Sequence, residues 1–474
     1  MAIDSFYCYG ARAHAPTDDE VLDESTLTCP IMANDGAIGF RVALSTPGVR
    51  AFTSAGLIAR LPIAMIALAT VLLVSNQTGS YAYAGLLSAL FALTAALVSI
   101  GTSRWADAVG QTRVLRVLAV SHSSLLIAFT SAIVLRWPTA VQILLVMAAG
   151  ASSPAIGSFV RARWAALKRG PETARIGFAW ESILDEVIFT IGPLITTFVA
   201  FGYGFATPLW IAAGLVGFGS LWLSCARRTT PPVHTLTEHS MSFSSVLKAP
   251  GLRPVVVSAL GLGTLFGSLD VGVVAFTAEQ GTGTFAGIAL AAFAATSMVG
   301  GVLYGIRSWP GGVVRQTQAA AAALVLVMLS MPLVPNNLAL TVVAALAGFC
   351  VAPALIGLFT MASALVPPRH VTEGLTWTNS GLAAGFATGS ALGGILIDSL
   401  GTRYGLVLGL VGALLAASAV WSRARTLTSA YRPSQATESA IDAVPLNDDP
   451  VPGPHPSLVR PALDSRQDTE RDVQ

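Results

Sequence analysis

The sequence predicts an all-α membrane protein: twelve transmembrane helices arranged as two pseudo-symmetric six-helix bundles. Three observations carry that prediction. The 474 residues are 53% hydrophobic and only 11% charged, with a mean hydropathy of +0.68, whereas a soluble chain carries roughly a quarter charged residues. Apolar runs recur at the ~20-residue length that crosses a hydrocarbon core. Segments of the first half also reappear in the second.

Twelve apolar runs can be placed, near 53–75, 82–103, 114–135, 139–162, 176–200, 205–226, 254–277, 284–306, 316–334, 338–365, 374–399 and 404–424. The expected organisation follows. Residues 1–50 are a mostly disordered cytoplasmic extension, 51–226 the first bundle and 227–252 a polar central cytoplasmic loop. Residues 253–426 are the second bundle, and 427–474 a disordered cytoplasmic tail rich in Pro, Ser and Asp. The N-terminal stretch holds DDEVLDE and lacks the basic-then-apolar pattern of a signal peptide. Met32 is an alternative start to Met1.

Charge sets the expected orientation. The loops after spans 2, 4, 6, 8 and 10 hold the basic residues, including Arg104, Arg113, Arg116, Arg161, Arg163, Lys168, Arg227, Arg315 and Arg369; the opposite loops hold only Arg136 and Arg403. Basic loops stay cytoplasmic. Both termini are therefore expected in the cytoplasm, with the chain in the inner membrane.

The repeat is visible in words. SYAYAGLLSALFALTAALVSIGTSRW (80–105) parallels TGTFAGIALAAFAATSMVGGVLYGIRSW (282–309), and AAGASSPAIG (148–157) parallels LAGFCVAPALIG (346–357). Each match is roughly 200 residues apart, a six-plus-six pattern typical of secondary transporters. Other classes find no support. A net charge of +2 offers no field for nucleic acid. Cys8, Cys29, Cys225 and Cys350 have neither metal-ligand nor redox spacing. No GxxxxGK phosphate loop, HExxH helix or nucleophile–base constellation occurs. The expectation is a non-enzyme without cofactor or metal, a monomer in the bilayer whose partners are a small molecule and protons.

On these residues the chain resembles the major facilitator superfamily over roughly 50–426. SRWADAVGQTR (103–113) is similar to the family's loop between spans 2 and 3, with Asp107 and Gly110 at matching positions; Ser103, Ala108, Gln111 and Thr112 depart from it, and Arg113 supplies part of the lost charge. The resemblance implies a gating role for Asp107, Gly110 and Arg113. IFTIGPLITT (188–197) is similar to half of the antiporter motif of span 5: Gly192 and Pro193 match, while Ile188, Thr196 and Thr197 replace its other glycines. Val146 stands where the family's span 4 arginine is expected. The resemblance implies drug–proton antiport, with spans 1, 4, 7 and 10 around a central cavity.

Ionisable groups at bilayer depth usually face a cavity or a partner. Arg60 lies about 12 Å into span 1, Glu181 about 8 Å and Asp185 about 14 Å into span 5. Glu181 and Asp185 share a face; Glu186 points about 100° away from Asp185. Arg60 is expected to pair with Glu181 or Asp185, as a structural ion pair, a proton-coupling element or a substrate contact. Glu186 is the acid left unpaired. Asp270, two-thirds across span 7, is a candidate for a proton or a cationic substrate, the bland alternative being a satisfied acid near the outer mouth. His122 on span 3 is expected to be buried and bonded to Ser121, Ser123 or Ser124.

Gly381, Gly385, Gly389 and Gly393 make a smooth stripe on span 11, suited to close packing. Pro62, Pro154 and Pro353 interrupt spans 1, 4 and 10, and the last two fall at equivalent places in the halves. With Gly192 and Pro193, Pro154 and Pro353 are the expected hinges. Gln142, Trp377 and Asn379 are candidates for cavity lining. The sequence thus reads as a proton-coupled efflux permease working by alternating access. A proton-coupled importer and a non-transporting sensor or scaffold are the alternatives.

Overall fold

Runs of apolar side chains without acids or bases leave the backbone one way to satisfy its polar groups in lipid, by hydrogen bonding within the segment, and that makes them helices. The computed structural model of the chain describes residues 45–167, 171–231, 251–307, 309–366 and 371–429. The N-terminal extension to residue 44, most of the central loop (232–250) and the tail from 430 lie outside the described residues. Among the described residues, twelve spans are long and apolar enough to cross a membrane.

Span 1 is two helices, α1 (Val49–Arg60) and α2 (Ile63–Thr78). Spans 2 and 3 are α3 (Tyr81–Val109) and α4 (Gln111–Val134). Span 4 is again in two pieces, α5 (Thr139–Ala151) and α6 (Ile156–Ala165). Spans 5 and 6 are α7 (Pro171–Tyr203) and α8 (Thr207–Cys225). The second half is unbroken: α9 (Leu252–Glu279), α10 (Phe285–Ile306), α11 (Gly312–Ser330), α12 (Asn337–Ala364), α13 (Val371–Leu400) and α14 (Thr402–Ser422).

The breaks have local causes. Proline supplies no N–H and crowds the turn before it. Span 1 gives way at Leu61–Pro62, and span 4 unwinds over Ser152–Ala155 around Pro154. Pro353 and Pro193 behave differently: each sits inside a continuous helix, α12 and α7. The expected equivalence of Pro154 and Pro353 as helix breaks therefore fails. In α12 the neighbouring turns carry the helix past the missing bond.

The stripe on span 11 has a definite partner. A Cβ on Gly381, Gly385 or Gly389 would stand 2.7, 2.0 or 2.1 Å from the carbonyl oxygens of Val256, Leu260 and Thr264 on span 7. Only glycine lets two helices approach so closely. The fourth member, Gly393, is looser, its nearest atom being 3.6 Å away. The described chain also runs slightly past the expected end of the second bundle. Leu427, the first residue of the expected tail, is fully buried and lies against Gly251.

The halves meet at the end away from the basic loops. Span 2 touches span 11, where a Cβ on Gly85 would lie 2.0 Å from the Ser390 carbonyl oxygen. Span 5 touches span 8, where one on Gly287 would lie 2.6 Å from the Pro193 carbonyl oxygen. At the other end, α1 and α6 pack on spans of their own half. Among the described residues, the two bundles thus form a wedge, shut at one end and parted toward the Arg-rich end.

Candidate functional site

Two groups of polar residues stand out, one within the first half and one between the halves, and they differ in kind. The first is a charge network at the Arg-rich end. Arg60, 1% exposed, donates from Nη1 to Asp185 Oδ1 at 2.8 Å and from Nη2 to Glu181 Oε2. The acid pair is not left with one cation. Arg161 Nη2 donates to Asp185 Oδ2 at 2.7 Å, and Trp164 Nε1 donates to Glu181 Oε1 at 2.9 Å. Arg161 was grouped with the loop after span 4; it belongs to helix α6 and reaches across to span 5. Two guanidiniums therefore meet two carboxylates. This arrangement holds α1, α6 and α7 together without an excess charge.

The second group surrounds a cavity of about 710 Å³ between the halves. Its wall includes the broken parts of spans 1 and 4, through Ala59 and Pro62 and through Ser153, Pro154 and Ala155. Irregular backbone at membrane depth is tolerated where it lines a cavity. Glu186 enters from the first half and Asp270 from the second. Asp270 Oδ2 is buried without a hydrogen-bond partner. His122 lines the same cavity and is 1% exposed. Its Nδ1 lies 2.8 Å from the Ala149 carbonyl oxygen, and its buried Nε2 has no partner. The expected serine contacts are not made: Ser121 donates to the Val117 carbonyl and Ser123 to the Ala213 carbonyl. Phe91, Phe189, Phe266, Phe293 and Phe386 supply most of the aromatic surface.

The remaining candidates are dispersed. Asp107 is in the last turn of α3, its side chain outside the described residues. Gly110 joins α3 to α4 at φ +93°, a conformation side chains resist, and Arg113 is exposed. Gly192 packs on Ala64 of span 1, and Pro193 lines the cavity. Gln142 does not line the cavity. It accepts from the Tyr83 hydroxyl at 2.7 Å and donates to the Trp137 carbonyl at 2.8 Å, pinning the turn between spans 3 and 4. Trp377 and Asn379 are also absent from the cavity wall; Asn379 is exposed and donates to the Leu375 carbonyl at 3.2 Å. The two lie about 200° apart around their helix, Trp377 half-buried and Asn379 exposed, and a residue's depth alone does not reveal which way it faces.

One polar residue at the closed end escaped the sequence reading. Asp398, on span 11, accepts from Ser80 Oγ at 2.6 Å and from the backbone N–H groups of Tyr81 and Ala82 at 2.8 Å each. It caps the N-terminus of span 2 from the opposite half, satisfying donors that a helix start leaves free. Among the described residues no cluster suited to a metal ion occurs.

Two helix bundles around a central cavity with helix breaks at its wall are an architecture that recurs among secondary transporters. The sequence profile of the Major Facilitator Superfamily matches residues 315–461, and the fold is that of this superfamily's transporters. The human organic anion transporter MFSD10 (TETRAN) superposes with a TM-score of 0.55 at 17% identity, covering 79% of this chain and 100% of that one. The nucleoside transporter NupG gives 0.62 at 11% identity, covering 80% and 99%. A bacterial homolog of the human lysosomal transporter Spinster, in an inward-facing and occupied conformation, gives 0.59 at 15%, covering 81% and 97%. No curated protein matches the sequence significantly. Fold and neighbours support membrane transport and give no support to an enzyme.

Proposed function

We propose that the protein is a secondary active transporter that moves a small organic molecule by alternating access, outward and in exchange for protons. The observation that carries this reading is the cavity shared by the halves, with one carboxylate from each, Glu186 and Asp270. A carboxylate that alternates between water and a desolvated wall can take up a proton on one side and release it on the other. Glu181 and Asp185 suit that task less, because Arg60 and Arg161 already neutralise them. Their role is to hold span 1 and span 4 on span 5.

With basic loops on the cytoplasmic side, the wedge is open to the cytoplasm and both termini lie there, in the inner membrane. The cycle then needs the closed end to part. Asp398 must release the start of span 2, and the Gly85 and Gly287 contacts must separate. Export is supported by Gly192 and Pro193, the retained half of the antiporter motif, at the cavity wall and against span 1.

The test is a panel of organic solutes in inside-out vesicles with an imposed pH gradient. Accumulation should follow the gradient and collapse on its dissipation, and Asp270→Asn and Glu186→Gln should uncouple solute movement from proton movement. Solute movement indifferent to every gradient, in wild type and variants alike, would remove proton exchange.

A further inference from the structure

The charges on the cavity wall select what can enter it. Its ionisable lining residues are Glu186, Asp270 and His122, and neither Lys nor Arg is among them. An anion placed there would meet two carboxylates with no cation to offset them. The feature that favours an anion is the N-terminus of α6, which starts at the unwound segment of span 4. A helix terminus carries about half an elementary charge, too little against two whole ones.

We infer that the cavity takes a lipophilic organic cation, with its charged head at Asp270 and its apolar body among the phenylalanines. This rests on the transport reading above and specifies its substrate. Asp270 Oδ2 is buried with no partner inside the protein, and an unpaired acceptor in such a place costs free energy that a ligand's cationic donor recovers. Phe266 and Phe293, edge to face with centroids 5.8 Å apart, both line the cavity with Asp270. Ring faces also attract a desolvated cation. Polar lining is otherwise sparse, which suits a sugar or nucleotide poorly. The volume, about 710 Å³, falls in the range of about 300–1,000 Å³ that holds small organic ligands.

The two acids act in sequence along the path. Asp270 is about 27 Å along span 7 from Leu252, whereas Glu186 adjoins Asp185 at the level of Arg60, about 16 Å along span 1 from Val49. A single ammonium or phosphonium head cannot touch both. Glu186 meets it nearer the open mouth, and Asp270 holds it toward the closed end.

Equilibrium binding to the purified full-length chain tests this without requiring transport. Tetraphenylphosphonium is the cationic probe, tetraphenylborate its anionic counterpart of like shape, and triphenylphosphine oxide the neutral control. Tetraphenylphosphonium should bind saturably and more tightly than the other two. Asp270→Asn should weaken it about tenfold or more, Asp270→Glu should retain it, and Glu186→Gln should weaken it less. A second measurement avoids variants altogether. In the wild type, saturating tetraphenylphosphonium should protect Asp270 from modification by a hydrophobic carbodiimide, read by peptide mass spectrometry. Equal or tighter binding of tetraphenylborate, unchanged binding in Asp270→Asn, or no protection of Asp270 overturns the proposal. Such a failure is separable from failure of proton exchange: a neutral solute can still follow the pH gradient when no cation binds, and a cation can bind when no gradient drives it.

Discussion

The two halves share a topology but, apart from the contact of Gly192 with Ala64, join corresponding helices by different means. In the first half, span 1 is fastened to span 5 by a guanidinium and two carboxylates, with Arg161 and Trp164 of span 4 completing the set. In the second half, the equivalent pair, spans 7 and 11, meets glycine against carbonyl at four-residue intervals. A glycine seam is steric. Each Cα faces a fixed carbonyl, so the helices cannot slide by a fraction of a turn. A charge seam is directional but compliant, because long side chains can follow a small shift of the backbone. The breaks at Pro62 and Pro154 belong to the half with the compliant seam. The difference predicts that motion at the open end resides in the first half, against a second half that moves as one body.

The largest effect should come from breaking the buried charge seam. Glu181→Ala leaves Arg60 Nη2 and the Trp164 indole N–H without an acceptor, at a site where Arg60 is 1% exposed and Glu181 is fully buried. Removing one partner of a buried pair costs about 3–5 kcal/mol. The melting temperature in detergent should fall steeply. The double variant Arg60→Met/Glu181→Leu should recover most of that loss, since an apolar pair of similar size is often neutral. If the double variant is stable but does not transport, the network does more than hold helices together. If it transports normally, its role is structural.

Next is the glycine seam. Gly385→Ala should cost about 1–3 kcal/mol, the range for overpacking a tight contact, because the new methyl would stand 2.0 Å from the Leu260 carbonyl oxygen. Gly393→Ala, with 3.6 Å to its nearest neighbour, is the control and should be close to neutral. Equal melting temperatures for the two variants would show that the seam can open, and the contrast between halves would weaken.

These seams also show what was legible in the sequence. Apolar length gives the twelve spans, because lipid leaves few alternatives, and the matched words of the two halves give the repeat. The spacing of Glu181 and Asp185 places them on one face at the depth of Arg60. The glycine stripe announced a close contact but not its partner on span 7. Arg161 was hidden because the break at Pro154 changes which way the end of span 4 points, a tertiary matter. Asp398 was hidden for another reason. Its partners at Ser80, Tyr81 and Ala82 are more than 300 residues away, and an acid near a helix end looks like any solvated acid. His122 was expected to bond to its neighbouring serines; its place on the cavity wall, with Nε2 unpartnered, emerges only when spans 2, 3 and 4 are packed.

Asp398 gives a third, smaller test, now between halves rather than within one. Asp398→Ala removes a cap worth about 0.5–2 kcal/mol that exists only while the closed end is shut. Since 1.4 kcal/mol is about tenfold in an equilibrium constant, the population open at this end should rise severalfold to tenfold or more. A cysteine replacing the fully buried Ser390, whose hydroxyl donates to the Gly85 carbonyl, should become more reactive to a membrane-impermeant maleimide in that background. Unchanged labelling would mean that the glycine contacts close this end without the latch.

The smallest effect should come from Arg161. Its side chain is 41% exposed and that of Asp185 is 31% exposed, so the pair lies at the open mouth where water screens it. Exposed pairs contribute about 0–1 kcal/mol. Asp185 also keeps its bond from Arg60 Nη1 at 2.8 Å when Arg161 is gone. Arg161→Gln should therefore lower stability by less than about 1 kcal/mol, measured by the same melting assay as Glu181→Ala. Its more telling readout is kinetic. Without Arg161, the carboxylate of Asp185 faces the mouth with one cation instead of two, so a cationic probe entering past Glu186 should meet a more negative entrance. Association of tetraphenylphosphonium should quicken, most at low ionic strength where the field is unscreened. A stability loss equal to that of Glu181→Ala would mean that the network is a single cooperative unit, and the distinction between its buried and mouth-facing parts would have to be given up.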